Sequence, residues 1–267
     1  VGGVDGLAAA NSVTVTPDGN HLYVTGGNEN EVAAFSRDPT TGELTFVEIE
    51  KDGVGGVDGL RSAFSVAVSP DGKHIYVAGD SDDAVAVFSR NSTSGELTFV
   101  EAEKDGVGDV DGLDGANAVI VSPDGKHVYA TGQHDDAITV FSRNSASGEL
   151  IFVELEMDGV GGVDGLDSTR SVSISPGGNH VYIAGELKDA LAVFSRNSST
   201  GELTFVEVVK DDVGGVDGLD GAFSVTVSPD GKHIYVAGRD DHAVAVFSRS
   251  IPSADLEIVK IGSPYPP

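Results

Sequence analysis

Two short strings recur at a fixed interval through this chain. PDG or PGG begins at Pro17, Pro70, Pro123, Pro176 and Pro229, and FSR begins at Phe35, Phe88, Phe141, Phe194 and Phe247; both series advance by 53 residues without an insertion. A strict period of this length means one supersecondary unit stacked on copies of itself. Five units account for nearly all of the 267 residues, as a single domain with boundaries near 1–53, 54–106, 107–159, 160–212 and 213–267.

Each unit reads as four short strands. In the second, FSVAVS (64–69) stops at PDGK, HIYVAG (74–79) at DSDD, AVAVFSR (84–90) at NSTSG, and ELTFVEAE (96–103) at DGVGG. The strands are rich in Val, Ile, Phe, Tyr and Thr, and Gly, Pro, Asn, Asp and Ser separate them. In PDGK the proline sets φ and the glycine takes positive φ. Four antiparallel strands per repeat, five times over, predict an all-β, five-bladed β-propeller. Because the sequence opens in a connector and ends in a fourth strand, every blade is contiguous, and the expectation is a closed ring joined by packing of the first blade on the last. A piece of a longer array, or a recently amplified repeat, stays open as an alternative.

The unit SPDGKHIYVAG...AVAVFSR...GELTFVE resembles the repeats of the lactonase-type, or YVTN-type, bacterial β-propellers, in which PDG, an (L/I)YV strand and TG(E/K)L recur in each blade. The resemblance covers all five units. It implies the propeller fold and an exported protein, and it brings a lactone-cleaving activity into view, although the named members carry seven blades of varied sequence.

Composition narrows the partners. With 43 acidic against 16 basic residues the formal charge is -27, which repels nucleic acid and anionic membranes and favours a cation, a cationic protein or a small molecule. No apolar stretch approaches the length of a membrane span, and no charged-then-apolar leader opens the sequence, though a leader trimmed before Val1 fits its start. No cysteine is present, so thiolate chemistry is excluded. The expected state is a monomer, with no cofactor required.

Strand order gathers the long acidic loops on one mouth of the channel. There the connector DGVGGVDGL recurs at 52–60, 105–113, 158–166 and 211–219, with single substitutions in the second and fourth copies. It resembles a calcium-binding nonapeptide, which makes Asp5, Asp58, Asp111, Asp164 and Asp217 candidate calcium ligands. The simpler reading is a glycine-bent connector. His21, His74, His127, His180 and His233 recur at the start of the second strand and read as imidazoles bonded to a neighbouring blade. Arg90 and Glu96, with their equivalents, are expected to pair across an exposed hairpin.

Positions that differ between near-identical units are free of the repeat's own packing demands. Before the first strand stand Asn11, Phe64, Asn117, Arg170 and Phe223. The second-to-third-strand loops add His134, Arg239 and His242, beside the variable pairs at Glu29–Asn30, Asp82–Asp83, Asp135–Asp136, Lys188–Asp189 and Asp241–His242. These are the candidate ligand-binding residues: Arg170 for an anion, Phe64 and Phe223 as apolar platforms. No GxSxG, HExxH, phosphate loop or GxGxxG is present. The expectation is therefore a non-catalytic binding or scaffold domain. The alternative is a lactonase-like hydrolase working at the channel mouth.

Overall fold

The computed structural model describes residues 7–249 and 258–260. It contains five antiparallel sheets, each a four-stranded meander in sequence order. The first is β1 (Ala10–Val15), β2 (His21–Gly26), β3 (Glu31–Arg37) and β4 (Leu44–Lys51); the second is β5 (Ala63–Val68), β6 (His74–Gly79), β7 (Ala84–Arg90) and β8 (Leu97–Lys104). The third is β9 (Ala116–Val121), β10 (His127–Gly132), β11 (Ala137–Arg143) and β12 (Leu150–Met157). The fourth runs β13 (Thr169–Ile174), β14 (His180–Gly185), β15 (Ala190–Arg196) and β16 (Leu203–Lys210), and the fifth β17 (Ala222–Val227), β18 (His233–Gly238), β19 (Ala243–Arg249) and β20 (Ile258–Lys260). The strands expected from the second repeat match these to within a residue. Of the expected last strand, ADLEIVKIG at 254–262, only 258–260 lie among the described residues.

The sheets stack face to face, β1 against β5, β5 against β9, β9 against β13 and β13 against β17. Apolar side chains from facing sheets form the cores between them. Tyr76, Val85 and Val87 of the second sheet meet Val119, Val121 and Phe141 of the third, and the pattern repeats at the other three junctions. The inner strands carry small residues because they converge. Ser12 Oγ accepts a hydrogen bond from Val66 N at 3.3 Å, Ser65 Oγ one from Val119 N at 3.3 Å, and Ser171 Oγ one from Val225 N at 3.1 Å. These bonds join strands that share no ladder.

A buried arginine locks each of the first three junctions. Arg90 ends β7 and reaches into the preceding blade, where Nε donates to the Tyr23 hydroxyl at 3.1 Å and Nη2 to Asp18 at 3.1 Å and to His21 Nδ1 at 2.6 Å; Nη1 donates to its own blade's Gly72 carbonyl at 2.7 Å. Tyr23 in turn donates to the Gly95 carbonyl at 2.8 Å, closing the network across the junction. Arg143 repeats this with Asp71, His74 and Tyr76, and Arg196 with Asp124, His127 and Tyr129. Arginine suits the place because its planar fork serves several acceptors at once and stays charged. This corrects the expected Arg90–Glu96 hairpin bridge: Arg90 is buried and faces the neighbouring blade, while Glu96 accepts from Ser94 Oγ at 2.7 Å. The imidazoles of His21, His74 and His127 do bond to the neighbouring blade, through this arginine.

The same contact fixes a glycine. At Gly95, φ is +81° and a Cβ would stand 2.2 Å from the His21 ring, so this hairpin position tolerates no side chain. Gly79, at the end of β6, has another reason. A Cβ there would lie 2.3 Å from the Gly59 carbonyl oxygen, because the connector crosses the strand end at that point.

The expected closure of the ring is not seen among the described residues. Among the described residues no core joins the fifth sheet to the first, and the outward face of the first sheet is open. Val13 is 61% exposed where its counterpart Val66 is 6% exposed. Packing of first on last was inferred from contiguous blades, but contiguity within a blade says nothing of how the faces of the first and last sheets meet.

Burial opposes ionisation of Asp18 and Asp71. Hydrogen bonds from Thr16, Asn20 and Arg90 to the first, and from Ser69, Arg143 and Lys73 to the second, more than offset it and bring both down to about 2. A carboxylate depressed on folding contributes stability that is complete above the unfolded value and lost as pH falls through the folded one. Asp71→Asn is therefore expected to cost about 1 kcal/mol at pH 7, allowing for its partial exposure. The difference from wild type should close between about pH 4 and pH 2, measured by urea unfolding across that range. Arg143→Ala strands the buried partners and should cost about 3 kcal/mol or more at neutral pH in the same assay.

Candidate functional site

The five inner strands surround a cavity of about 270 Å³, and Asn11, Phe64, Asn117, Arg170 and Phe223 all stand on its wall. The repeat position just before or at the start of the first strand thus faces the channel in every blade. Its occupants bond unlike partners. Asn11 Nδ2 donates to the Ala63 carbonyl at 3.2 Å, and its amide occupies space that a Cβ on Gly27 would need. Asn117 is buried, donates to the Thr169 carbonyl at 2.6 Å and to Gln133 Oε1 at 3.2 Å, and accepts from Thr131 at 2.8 Å.

A continuous polar network builds on these contacts along the third to fifth blades. Arg170 donates from Nη1 to Gln133 and from Nε to Glu186. The other oxygen of Glu186 accepts from Arg239 Nη2 at 2.6 Å, and Arg239 Nε also donates to Asp240 at 3.1 Å. Glu186 itself is buried. The Phe223 ring centroid lies 5.8 Å from the guanidinium carbon of Arg170 and 5.7 Å from that of Arg239, within the range where a cation is attracted to an aromatic face. Two guanidinium groups thus meet two carboxylates, Glu186 and Asp240, so the cluster is locally balanced in a strongly acidic protein.

Gln133, Glu186 and Arg239 occupy one repeat position, the first residue after the second strand, where the other units have Gly27 and Asp80. Of these the sequence reading picked out only Arg239. The missed signal was present: five different residues at one position of units that otherwise match almost letter for letter. His134, Arg239 and His242, also named as ligand contacts, are not among the cavity's lining residues, and Arg239 joins the wall only through Glu186 and Phe223. His134 pairs with Asp114 at 3.0 Å and His242 Nδ1 lies 2.9 Å from the Asp240 carbonyl, both in exposed loops.

The variable loop carboxylates belong to the connector. Asp82, Asp135 and Asp241 accept the backbone N–H of Arg61, Asp114 and Asp220. Asp83, Asp136 and Asp189 accept those of Gly115, Ser168 and Gly221. The first aspartate of DGVGGVDGL accepts from the leucine eight residues on, as Asp105 does from Leu113 at 3.0 Å. One consequence is crowding of like charge. Asp52, Asp58 and Asp82 bring carboxylate oxygens within 4.8 Å of one another, as do Asp105, Asp111 and Asp135, and Asp211, Asp217 and Asp241. Three of the five proposed calcium ligands, Asp58, Asp111 and Asp217, thus sit in triads of hard oxygen ligands. Asp164 does not: Lys188 replaces the third carboxylate and lies 3.5 Å from Asp158, while Lys210 pairs with Asp164 at 2.7 Å. Asp5 lies outside the described residues.

Four-stranded sheets stacked about a channel with a polar mouth define a β-propeller. The sequence profile of the family described as "Lactonase, 7-bladed beta-propeller" matches residues 2–110, 65–206 and 163–264, and the chain belongs to that family. It is 25% identical to a 6-phosphogluconolactonase of Klebsiella pneumoniae over 248 residues, 92% of this chain and 69% of that one. Its fold is similar to that of a periplasmic gluconolactonase of Pseudomonas aeruginosa, with a TM-score of 0.75 at 22% identity over 97% of this chain and 71% of that one. A Lactobacillus plantarum protein gives a TM-score of 0.73 at 21% identity, covering 97% and 73%. These findings overturn the expected non-catalytic scaffold, since the family and its named relatives are lactonases.

Burial first, then Asp105, Asp114 and Asp111, raise the Asp135 carboxyl above its ordinary value. Asp111→Asn removes one of these like charges and is expected to raise the melting temperature in the presence of a chelator. Calcium binding at this triad is tested by the same melts: a rise in the melting temperature of the parent in millimolar calcium, smaller in Asp111→Asn, would show it, because a ligand of the folded state must raise that temperature.

Proposed function

We propose that the chain hydrolyses a sugar or organic-acid lactone at the channel mouth. The observation that carries this reading is the unsymmetrical polar cluster that starts at Asn117 and Arg170 on the channel wall beside Phe223 and extends through Gln133 and Glu186 to Arg239. Five equivalent pockets would serve a repetitive ligand; a single unsymmetrical cluster serves one small molecule.

Lactone opening adds water to the carbonyl carbon, gathers negative charge on the carbonyl oxygen and breaks the ring C–O bond. In this reading Arg170 and Arg239 supply positive charge to that oxygen, the largest contribution such a site can make. Glu186 fixes both arginines. When an arginine turns to the substrate, the freed carboxylate oxygen takes the proton of the attacking water and passes it to the departing ring oxygen. Phe223 supports the less polar face of the ring. No cofactor is required by this chemistry. The family membership and the lactonase names of relatives support it, and the similarity to a periplasmic gluconolactonase supports an exported location.

A panel of five- and six-membered sugar and organic-acid lactones, followed by proton release, tests the reading. Arg170→Ala should lower kcat/KM by about 100-fold or more. Glu186→Gln keeps the shape but not the charge and should lower kcat. Full turnover in both variants, or no turnover of any lactone by the folded parent, would sink the proposal. Fractionation of the native cells checks the location.

A further inference from the structure

We propose that the ligand of the channel cavity is an uncharged ring carrying several free hydroxyl groups, and that the site selects against the same ring bearing a phosphate. This ligand class refines the lactonase reading above, on which it rests for the nature of the ring. In substrate the chain would thus part from the 6-phosphogluconolactonase to which it is 25% identical.

The cavity wall is furnished mainly with neutral donors. Ser12, Ser65, Ser171 and Ser224 share one position of the first strand and all line the cavity. The hydroxyl oxygens of the first three accept a backbone N–H from the next blade, those of Val66, Val119 and Val225. A hydroxyl that accepts still has its own hydrogen to give. Among the described residues none of the four hydroxyl hydrogens meets an acceptor. An incoming oxygen recovers the free energy that such unspent donors forgo. Donors spread over four blades fit hydroxyl groups spread around a ring, while Phe64 and Phe223 offer the apolar surface between them.

A phosphate meets no comparable provision. Arg170 is the one charged residue among those lining the cavity, and Glu186 already pairs with it; Arg239, behind it, is shared between Glu186 and Asp240. Binding a dianion asks for positive charge that is not already neutralised. The connectors that enter the first strands and the loops that leave the second strands lie on this same side of the sheets, and they carry the three carboxylate triads. With a formal charge of -27, the field at this mouth repels a phosphate ester before it arrives.

Binding and turnover together test the ligand class separately from the hydrolase reading. Titration calorimetry uses the lactam of a hydroxylated six-membered sugar ring, which resists hydrolysis, and the phosphate monoester of that lactam. The unphosphorylated lactam is expected to bind about 100-fold tighter. In roughly 0.5 M salt, which screens surface charge, that ratio should shrink. Ser224→Ala removes a hydroxyl that makes no bond within the described protein, and it should weaken binding of the hydroxylated lactam about 5-fold. Asn11→Lys adds a cation to the wall and should shift the ratio toward the phosphate ester by about 10-fold. Turnover of glucono-1,5-lactone, its 6-phosphate and the hydroxyl-free δ-valerolactone should show kcat/KM highest for the first. Equal or tighter binding of the phosphate ester, no binding of either lactam, or a preference for δ-valerolactone overturns the ligand class. Tight binding of the hydroxylated lactam with no turnover of any lactone overturns the hydrolase reading alone and supports the ligand class.

Discussion

The buried arginine at the end of the third strand is the contact on which the repeat depends. Each of Arg90, Arg143 and Arg196 takes a charge out of water, which is unfavourable until a carboxylate, an imidazole, a phenol and a carbonyl all turn toward it. Those four partners come from two places, the arginine's own blade and the preceding one. Apolar packing alone would hold two sheets together at many offsets, since the hydrophobic effect is non-directional. The arginine admits one. It also explains several constancies of the repeat at once: the PDG aspartate, the histidine three residues later, the tyrosine in the second strand and the glycine before the fourth are all partners of this guanidinium or of each other.

Much of this was legible in the sequence, and the reason is the repetition itself. Five copies of each strand and turn gave five readings of the same local signal, so HIYVAG and AVAVFSR were bounded correctly by the turn residues around them. Local chemistry, however, does not state which blade a side chain addresses. Arg90 and Glu96 are close in sequence and opposite in charge, and pairing them across the hairpin was the natural local expectation. The structure sends Arg90 to the preceding blade, some seventy residues back, because burial there lets it meet four acceptors. Closure was not legible for a related reason. How the first and last sheets meet is a property of how whole faces pack, and it is fixed by the period no more than by any single strand.

The site was partly legible. The rule that disagreement between copies marks freedom from packing brought out Asn11, Phe64, Asn117, Arg170 and Phe223, and the structure puts all five around one cavity. The same rule applied one residue after the second strand would have added Gln133 and Glu186 to Arg239. It went astray at Asp82, Asp135 and their equivalents, where the variation was smaller and the side chains serve the connector's backbone. His134 and His242 were attractive as imidazoles near a mouth, but their loops hold them at the exposed rim.

One feature of the network bears on how such a protein can change. Gly27, Asp80, Gln133, Glu186 and Arg239 share a position that makes none of the arginine-centred contacts at the blade junctions described above. The arginine joints and the polar network at the mouth are therefore written in separate columns of the repeat, although Gln133–Arg170 and Glu186–Arg239 also cross blade junctions. A duplication that copies a blade copies its arginine joint intact and hands over, at the channel, a position that later substitutions can rewrite without touching that joint. The near-identity of the units and the individuality of that one column are two sides of this division of labour.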